Sequence, residues 1–227
     1  IKTFVYERKE LSLEELIRVS AANFKGNEVL RQRIIHEAPK YGVGNDEADS
    51  IAIKVLEWLY EEASKYRNIR GGKLRMCYYS YGNHVIDGFM LGATPDGRRK
   101  GEPISNGVSP SNLIEPHEGP AGPLRTVSKF PPHQISSGVA LNLRFHPNFL
   151  KTDGGLNTFT SMLRTYFSLG GMHLQLNVVS TETLRDAQRY PDKYRDLIVK
   201  VSGYSAYFTD LGRSIQEDII ARSEFGR

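Results

Sequence analysis

The sequence predicts an α/β fold with a helical layer at its N-terminal end, and three observations carry that prediction. Apolar residues recur at spacings of three and four through the first 70 residues, as they do along one face of a helix. Two later stretches, 138–146 and 172–179, alternate apolar and polar residues with the period of a strand. Helix-period segments at 155–168 and 181–190 sit around the second of these strands, and strand–helix alternation points to a crossover layout.

The elements follow in order. Ser12, Leu13, Glu14 and Glu15 have the form of a capping box, and Leu13, Leu16 and Ile17 continue at helical spacing, so a helix is expected over 12–23. A second is expected over 27–36, where Val29, Leu30, Arg33 and Ile34 repeat, before Pro39 and the Gly42 to Gly44 turn stop it. Asn45 or Asp46 should cap a long third helix that ends near Arg67 and turns Ile51, Val55, Trp58 and Leu59 toward a core. Residues 74–81, rich in aromatics, read as a strand, and Gly92 to Arg98 as a turn. The Gly-, Pro- and Ser-rich stretch 101–123 should be a long ordered loop, and loops of that length in compact domains are usually functional.

In the strand at 138–146, Val139, Leu141, Leu143 and Phe145 face one way, with Asn142, Arg144 and His146 opposite. In the strand at 172–179, Leu174, Leu176 and Val178 oppose His173, Gln175 and Asn177. Parallel sheets are seldom left open to water, so the polar face is expected to line a cavity or barrel lumen. Near the C-terminal end, Ser214 to Glu217 repeat the capping-box pattern and should start a last helix running toward Arg222. The boundaries that follow are a helical layer at 1–70, half-barrel strands, helices and loops at 71–190, and a terminal loop and helix at 191–227.

Composition narrows the function classes. No apolar run approaches the roughly 20 residues that span a bilayer, and no signal-peptide pattern opens the chain, so a cytoplasmic protein is expected. A single cysteine, Cys77, excludes an internal disulfide and a thiolate metal cluster; on a predicted strand it reads as a buried structural thiol. Net charge is +4, but basic residues are dispersed, and Arg98, Arg99 and Lys100 read as a solvated loop, not a nucleic-acid patch. Nucleotide-loop, HExxH and G-x-S-x-G patterns are absent. The six histidines lack ligand spacing, and no metal site is expected; each of them, His117 and His146 included, is read as structural or on the surface.

The most informative run is Val199 to Phe208, which centres on Gly203. A glycine between a β-type run and an aromatic segment supplies a turn with positive φ. Its Cα, flanked by a donating amide nitrogen and a withdrawing carbonyl, can also store an unpaired electron. This run resembles the radical-bearing loop of glycyl radical enzymes. The resemblance extends to Asn23 to Gly26, Ala38 to Gly42, Gly92 to Arg98, Ser109 to Ser111, Leu141 to Phe145, His173 to Val179 and Asp218 to Arg222. Ser205 is closer to the glycerol dehydratase and choline trimethylamine-lyase branch, since pyruvate formate-lyase typically has Ala at that position.

The resemblance implies the C-terminal portion of a ten-stranded β/α barrel. It implies a glycyl radical on Gly203, made by a separate activating enzyme that uses S-adenosylmethionine and an iron–sulfur cluster. The radical would then oxidise a cysteine that this chain lacks, leading to C–O, C–N or C–C cleavage of a small molecule. An anaerobic setting follows, because dioxygen cuts such a chain at the radical glycine. Arg222 matches a family arginine near the loop, where it would position loop or substrate. Tyr78 and Ser80 fall on a strand that lines substrate in some relatives. Tyr204, Ser205, His173, Gln175 and Asn177 would support the loop. Expected partners are the activating enzyme, the remainder of the barrel with the thiyl cysteine, and a second copy in a homodimer; neither nucleic acid nor membrane is expected. The chain, which opens at Ile1 without Met, is expected to be incomplete and inactive alone. Alternatives are an acyltransferase fragment of the pyruvate formate-lyase type and a small radical-carrying repair subunit.

Overall fold

In the computed structural model, residues 1–114 and 118–226 are described; Glu115, Pro116 and His117, within the expected long loop, and Arg227 lie outside them. The N-terminal region is helical. Helix α1 (Leu13–Ala21) opens with a complete capping box: Ser12 Oγ accepts from Glu15 N at 3.1 Å and the Glu15 carboxylate accepts from Ser12 N at 2.8 Å. Helix α2 (Glu28–Glu37) follows, then α3 (Asp46–Ser64), where the Asn45 side chain accepts from Ala48 N at 3.0 Å.

The periodicity located these helices, but the buried side departs from the apolar repeat. On α2 the buried side chains are Arg31, Ile34 and Ile35, while Val29 is 76% exposed; Arg31 is held inside because its Nε donates to Gly97 O at 2.7 Å. On α3, Ile51, Val55 and Trp58 are exposed, and the inward side carries Asp49, Ile53 and Leu56. A buried acid decides the rotation: Asp49 accepts from Thr126 Oγ1 and from Lys129 Nζ, both on the segment around α5 (Ala121–Ser128).

The sheet is built by crossover. Strand β1 (Asn142–Phe145) pairs in parallel with β2 (Gln175–Val178), Asn142 opposite Gln175, and α6 (Asp153–Ser168) provides the connection. Thr152 caps α6 and Ser180 caps α7 (Thr181–Arg189), each side chain accepting an amide of the first turn. Strands β3 (Ile198–Lys200) and β4 (Ser205–Tyr207) form an antiparallel hairpin, then α8 (Arg213–Ala221) leads to β5 (Glu224–Phe225), parallel to the other edge of β1. Leu141, Leu143 and Phe145 enter a core with Val127, Tyr166 and Phe225, whereas Val199, Val201, Phe208 and Ile219 form a second core beneath the hairpin. The opposite, polar side of the strands is largely packed: Asn142, Arg144 and Asn177 are all buried against the hairpin, the 104–112 loop and α8.

Four expectations fail. Residues 74–81 are extended but pair only through a single bridge from Tyr78 to Val139, so they form no strand there, and Cys77 is exposed. Helix α4 (Asn83–Met90) was not anticipated, because Gly82, its left-handed N-cap, reads as a turn residue. Arg98 is buried rather than solvated: its guanidinium donates to the carbonyls of Arg99, at 2.9 Å, and Glu102, at 2.7 Å. Ser214 does not cap α8, which begins one residue earlier behind Gly212. No helix among the described residues is long and apolar enough to cross a membrane.

Candidate functional site

The hairpin register sets Lys200 against Ser205, leaving Val201 to Tyr204 as a four-residue connection closed by Val201 N donating to Tyr204 O at 2.9 Å. Gly203 has φ +87°, a left-handed conformation that L side chains rarely adopt, which is the local reason for glycine. Val201 and Ser202 are buried; Gly203 and Tyr204 emerge at the tip. A Cβ built on Gly203 would meet only Tyr81, at 4.0 Å. The α-carbon is therefore open to approach while its surroundings are fixed.

The fixing is done by side chains acting on backbone. Gln175 and Asn177, on the same face of β2, both reach the hairpin. Gln175 Oε1 accepts from Gly203 N at 2.9 Å. Asn177 accepts from Lys200 N at 2.7 Å and donates to Lys200 O at 2.8 Å, so its carboxamide serves as the peptide of a neighbouring strand. Arg222, only 7% exposed at the end of α8, donates to Lys200 O at 3.2 Å and to Val201 O at 2.8 Å. Asn106 Nδ2 gives Val201 O a second donor at 3.1 Å. It comes from the 104–112 loop, which approaches β1 so closely that a Cβ at Gly107 would stand 2.8 Å from Ala140 O. Lys200 Nζ donates to Ser205 Oγ at 2.7 Å across the hairpin.

Behind Arg222 lies Asp218, whose Oδ2 accepts from Arg222 at 3.0 Å and from His84 Nε2 at 2.9 Å, and whose Oδ1 accepts from Asn112 Nδ2 at 2.9 Å. Burial pushes this carboxyl upward, but the His84 hydrogen bond and the Arg222 charge outweigh it and hold Asp218 below the ordinary carboxylate range. Ser80 Oγ lies 2.9 Å from His84 Nδ1 and 3.1 Å from Ser202 Oγ. Arg222 Nε and Asn142 Oδ1 have no partner among the described residues, and both residues line a cavity of about 30 Å³, room for one water.

The expected site residues thus divide. Arg222, Gln175, Asn177, Ser80 and Ser205 converge on the hairpin. Tyr204 contributes its carbonyl, and its hydroxyl lies beside Gly82. His173 does not join them: its Nδ1 is buried without a partner among the described residues, burial lowers its pKa, and its carbonyl accepts from Tyr166. The Tyr78 phenol is likewise buried with no partner among the described residues, while its backbone bridges to Val139. Sequence reasoning missed His84, Asn106, Asn112, Ser202 and the gripping role of Asp218. The signal for Asp218 was its i, i+4 spacing to Arg222; isolated polar residues in loops carried none for the rest. His146, read as structural, has ligand atoms within 4.8 Å of Glu182 and Glu224, but the Glu224 carboxylate is already engaged by Thr181 and Arg144. A wider cavity of about 660 Å³ is lined by Phe4, Lys40, Asp96 and Arg98, and none of the residues gripping the hairpin borders it.

The hairpin thus exposes one glycine α-carbon over a base of hydrogen bonds from β2, the 104–112 loop and the end of α8. A family model described as Glycine radical matches residues 104–209, which include Gly203, and one described as Pyruvate formate lyase-like matches residues 1–88. The chain belongs to the glycyl radical enzymes. It is 39% identical, over 99% of its length, to a probable dehydratase, YbiW, of Escherichia coli (strain K12), and 34% identical, over 99%, to trans-4-hydroxy-L-proline dehydratase of Clostridioides difficile. It superimposes over its whole length on the glycerol-bound B12-independent glycerol dehydratase of Clostridium butyricum, with a TM-score of 0.94 and 40% identity. It spans 29%, 28% and 28% of those proteins, respectively.

Proposed function

We propose that the chain is the radical-storing, C-terminal portion of a glycyl radical dehydratase or lyase, with Gly203 as the storage residue. The carrying observation is the geometry of Gly203: φ +87° at a hairpin tip, an open α-carbon, and an amide held by Gln175. These residues fit such a group, because a Cα without a side chain can flatten while the backbone around it stays anchored. When formed by a radical S-adenosylmethionine activating enzyme, the glycine radical supplies one-electron hydrogen abstraction through a cysteine in the remainder of a β/α barrel.

What this chain's own residues do is positional. Arg222 and Asn106 saturate the Val201 carbonyl, Asn177 ties Lys200 to β2, and Ser202 is sealed beneath the tip. Ser205 and the names of the relatives favour dehydratase or lyase chemistry over acyl transfer. The expected partners are the activating enzyme and the rest of the barrel, and alone the chain would be inactive. Anaerobic activation of the full-length protein followed by electron paramagnetic resonance tests this reading. A glycine-centred doublet that vanishes in Gly203→Ala is expected; no doublet in the unsubstituted protein would overturn it.

A further inference from the structure

Besides the bonds from Gln175, Asn177 and Asn106, two further grips hold the loop, and one buried side chain joins them. The first grip is the hydroxyl pair Ser80 and Ser202, the latter fully buried and immediately before Gly203. The second is the Arg222 guanidinium on the Lys200 and Val201 carbonyls, oriented by Asp218. Among the described residues, His84 alone hydrogen-bonds both Ser80 and Asp218. It stands in the first turn of α4, is 0% exposed, and thereby cross-links α4 to α8 as well.

The direction of each bond can be assigned from the partners. The Asp218 carboxylate only accepts, so Nε2 carries a proton and donates to it. In the neutral imidazole Nδ1 is then the acceptor, and its 2.9 Å partner, Ser80, supplies its single hydroxyl proton there. Ser80 Oγ is left to accept from Ser202 at 3.1 Å. The result is a closed ring: Ser202 to Ser80 to His84 to Asp218, then from Arg222 onto Val201, the residue next to Ser202. Each member orients the next, and a ring of this kind in a low-dielectric interior stands or falls as a unit.

Resting on the radical-storage reading above, we propose that His84 is a positioning residue for the Gly203 loop: it couples the Ser202 grip to the Asp218–Arg222 grip, so that the loop is seated or released as one piece. An activating partner must reach Gly203, and the barrel must hold it; His84 sets the balance between those two requirements. Ser80 also lies 3.4 Å from Asn106 Oδ1, a longer contact than its 2.9 Å to His84, and it does not reach Asp218 or Arg222.

The test compares His84→Gln with His84→Phe in the full-length protein. Gln offers one acceptor and one donor at about the imidazole spacing, whereas Phe keeps the ring volume and removes both. Amide hydrogen exchange of residues 199–204, measured without any radical, should rise about tenfold or more in His84→Phe, the loss of roughly one well-made buried hydrogen bond. In His84→Gln it should stay near the unsubstituted rate, and exchange in α6 should not move in either. Should His84→Phe fail to fold, Ser80→Ala removes one arm only and should show the same local rise. Unchanged loop exchange in both His84→Phe and Ser80→Ala would overturn the proposal, as would an equal rise in α6. Anaerobic activation then separates the two readings: a localised exchange rise with no glycine doublet even in the unsubstituted protein would overturn radical storage and leave the positioning role standing.

Discussion

Val201 offers one carbonyl oxygen to two donors, Arg222 and Asn106, and that sharing explains how so small a loop is held without a ladder of its own. Charge-assisted bonds from a forked guanidinium are the stronger part, and Lys cannot reproduce the fork. Arg222→Lys is therefore expected to cost about 2 kcal/mol of stability, read from urea unfolding. Gly203→Ala should cost only about 1 kcal/mol, from the positive φ, because its new Cβ meets nothing closer than Tyr81. Asp218 fixes the pH dependence. Its folded pKa lies below the unfolded value near 3.9, so its contribution is complete above that value and is lost as pH falls through the folded one. Loop protection, with the intrinsic pH dependence of amide exchange divided out, should thus fall as pH drops below about 3.9, a fall that Asp218→Asn, already deprived of the carboxylate, should not show. At this scale the conformation of Gly203 was readable, because a turn with positive φ demands the residue itself. His84 was not: a histidine that works through Ser80 and Asp218, 134 residues apart from one of them, leaves no local pattern.

Helix α3 shows what element-scale reading can and cannot reach. Its N-cap at Asn45 was legible, since capping is local. Its inward face was not, because Ile51, Val55 and Trp58 form a stronger apolar stripe than the side that turns inward. The rotation is set by Asp49, fully buried and bound by Thr126 and Lys129. Asp49→Ala would strand those donors and is expected to cost about 2 kcal/mol, against a few tenths for Val55→Ala in the isolated chain; thermal unfolding distinguishes them. The same logic covers β1 and β2, whose alternation was legible, as was the support that Gln175 and Asn177 give the loop, while the packing around Asn142 and Arg144 was not. Their polar side is filled by the hairpin, a long-range event no spacing encodes.

At the scale of the whole molecule, the exposed apolar residues have a common sense if a longer protein covers them. Trp58 is 60% exposed, Phe89 57% and Met90 80%, and Cys77 is open as well. In the isolated chain Trp58 should be fully quenched by acrylamide and Cys77 should react promptly with a thiol reagent; both should be protected in the full-length protein. One water in the cavity beside Asn142 and Arg222 is expected in a crystal structure. Arg144, on the central strand, donates to the carbonyls of Ile220, at 3.1 Å, and Arg222, at 2.5 Å, and β5 pairs alongside. The residue that grips the loop is itself bolted to β1. Tension on the hairpin therefore passes into the sheet by two routes, through Arg222 and the end of α8 onto Arg144 and directly through Gln175 and Asn177 onto β2, so the loop behaves mechanically as a stiff handle with two anchors.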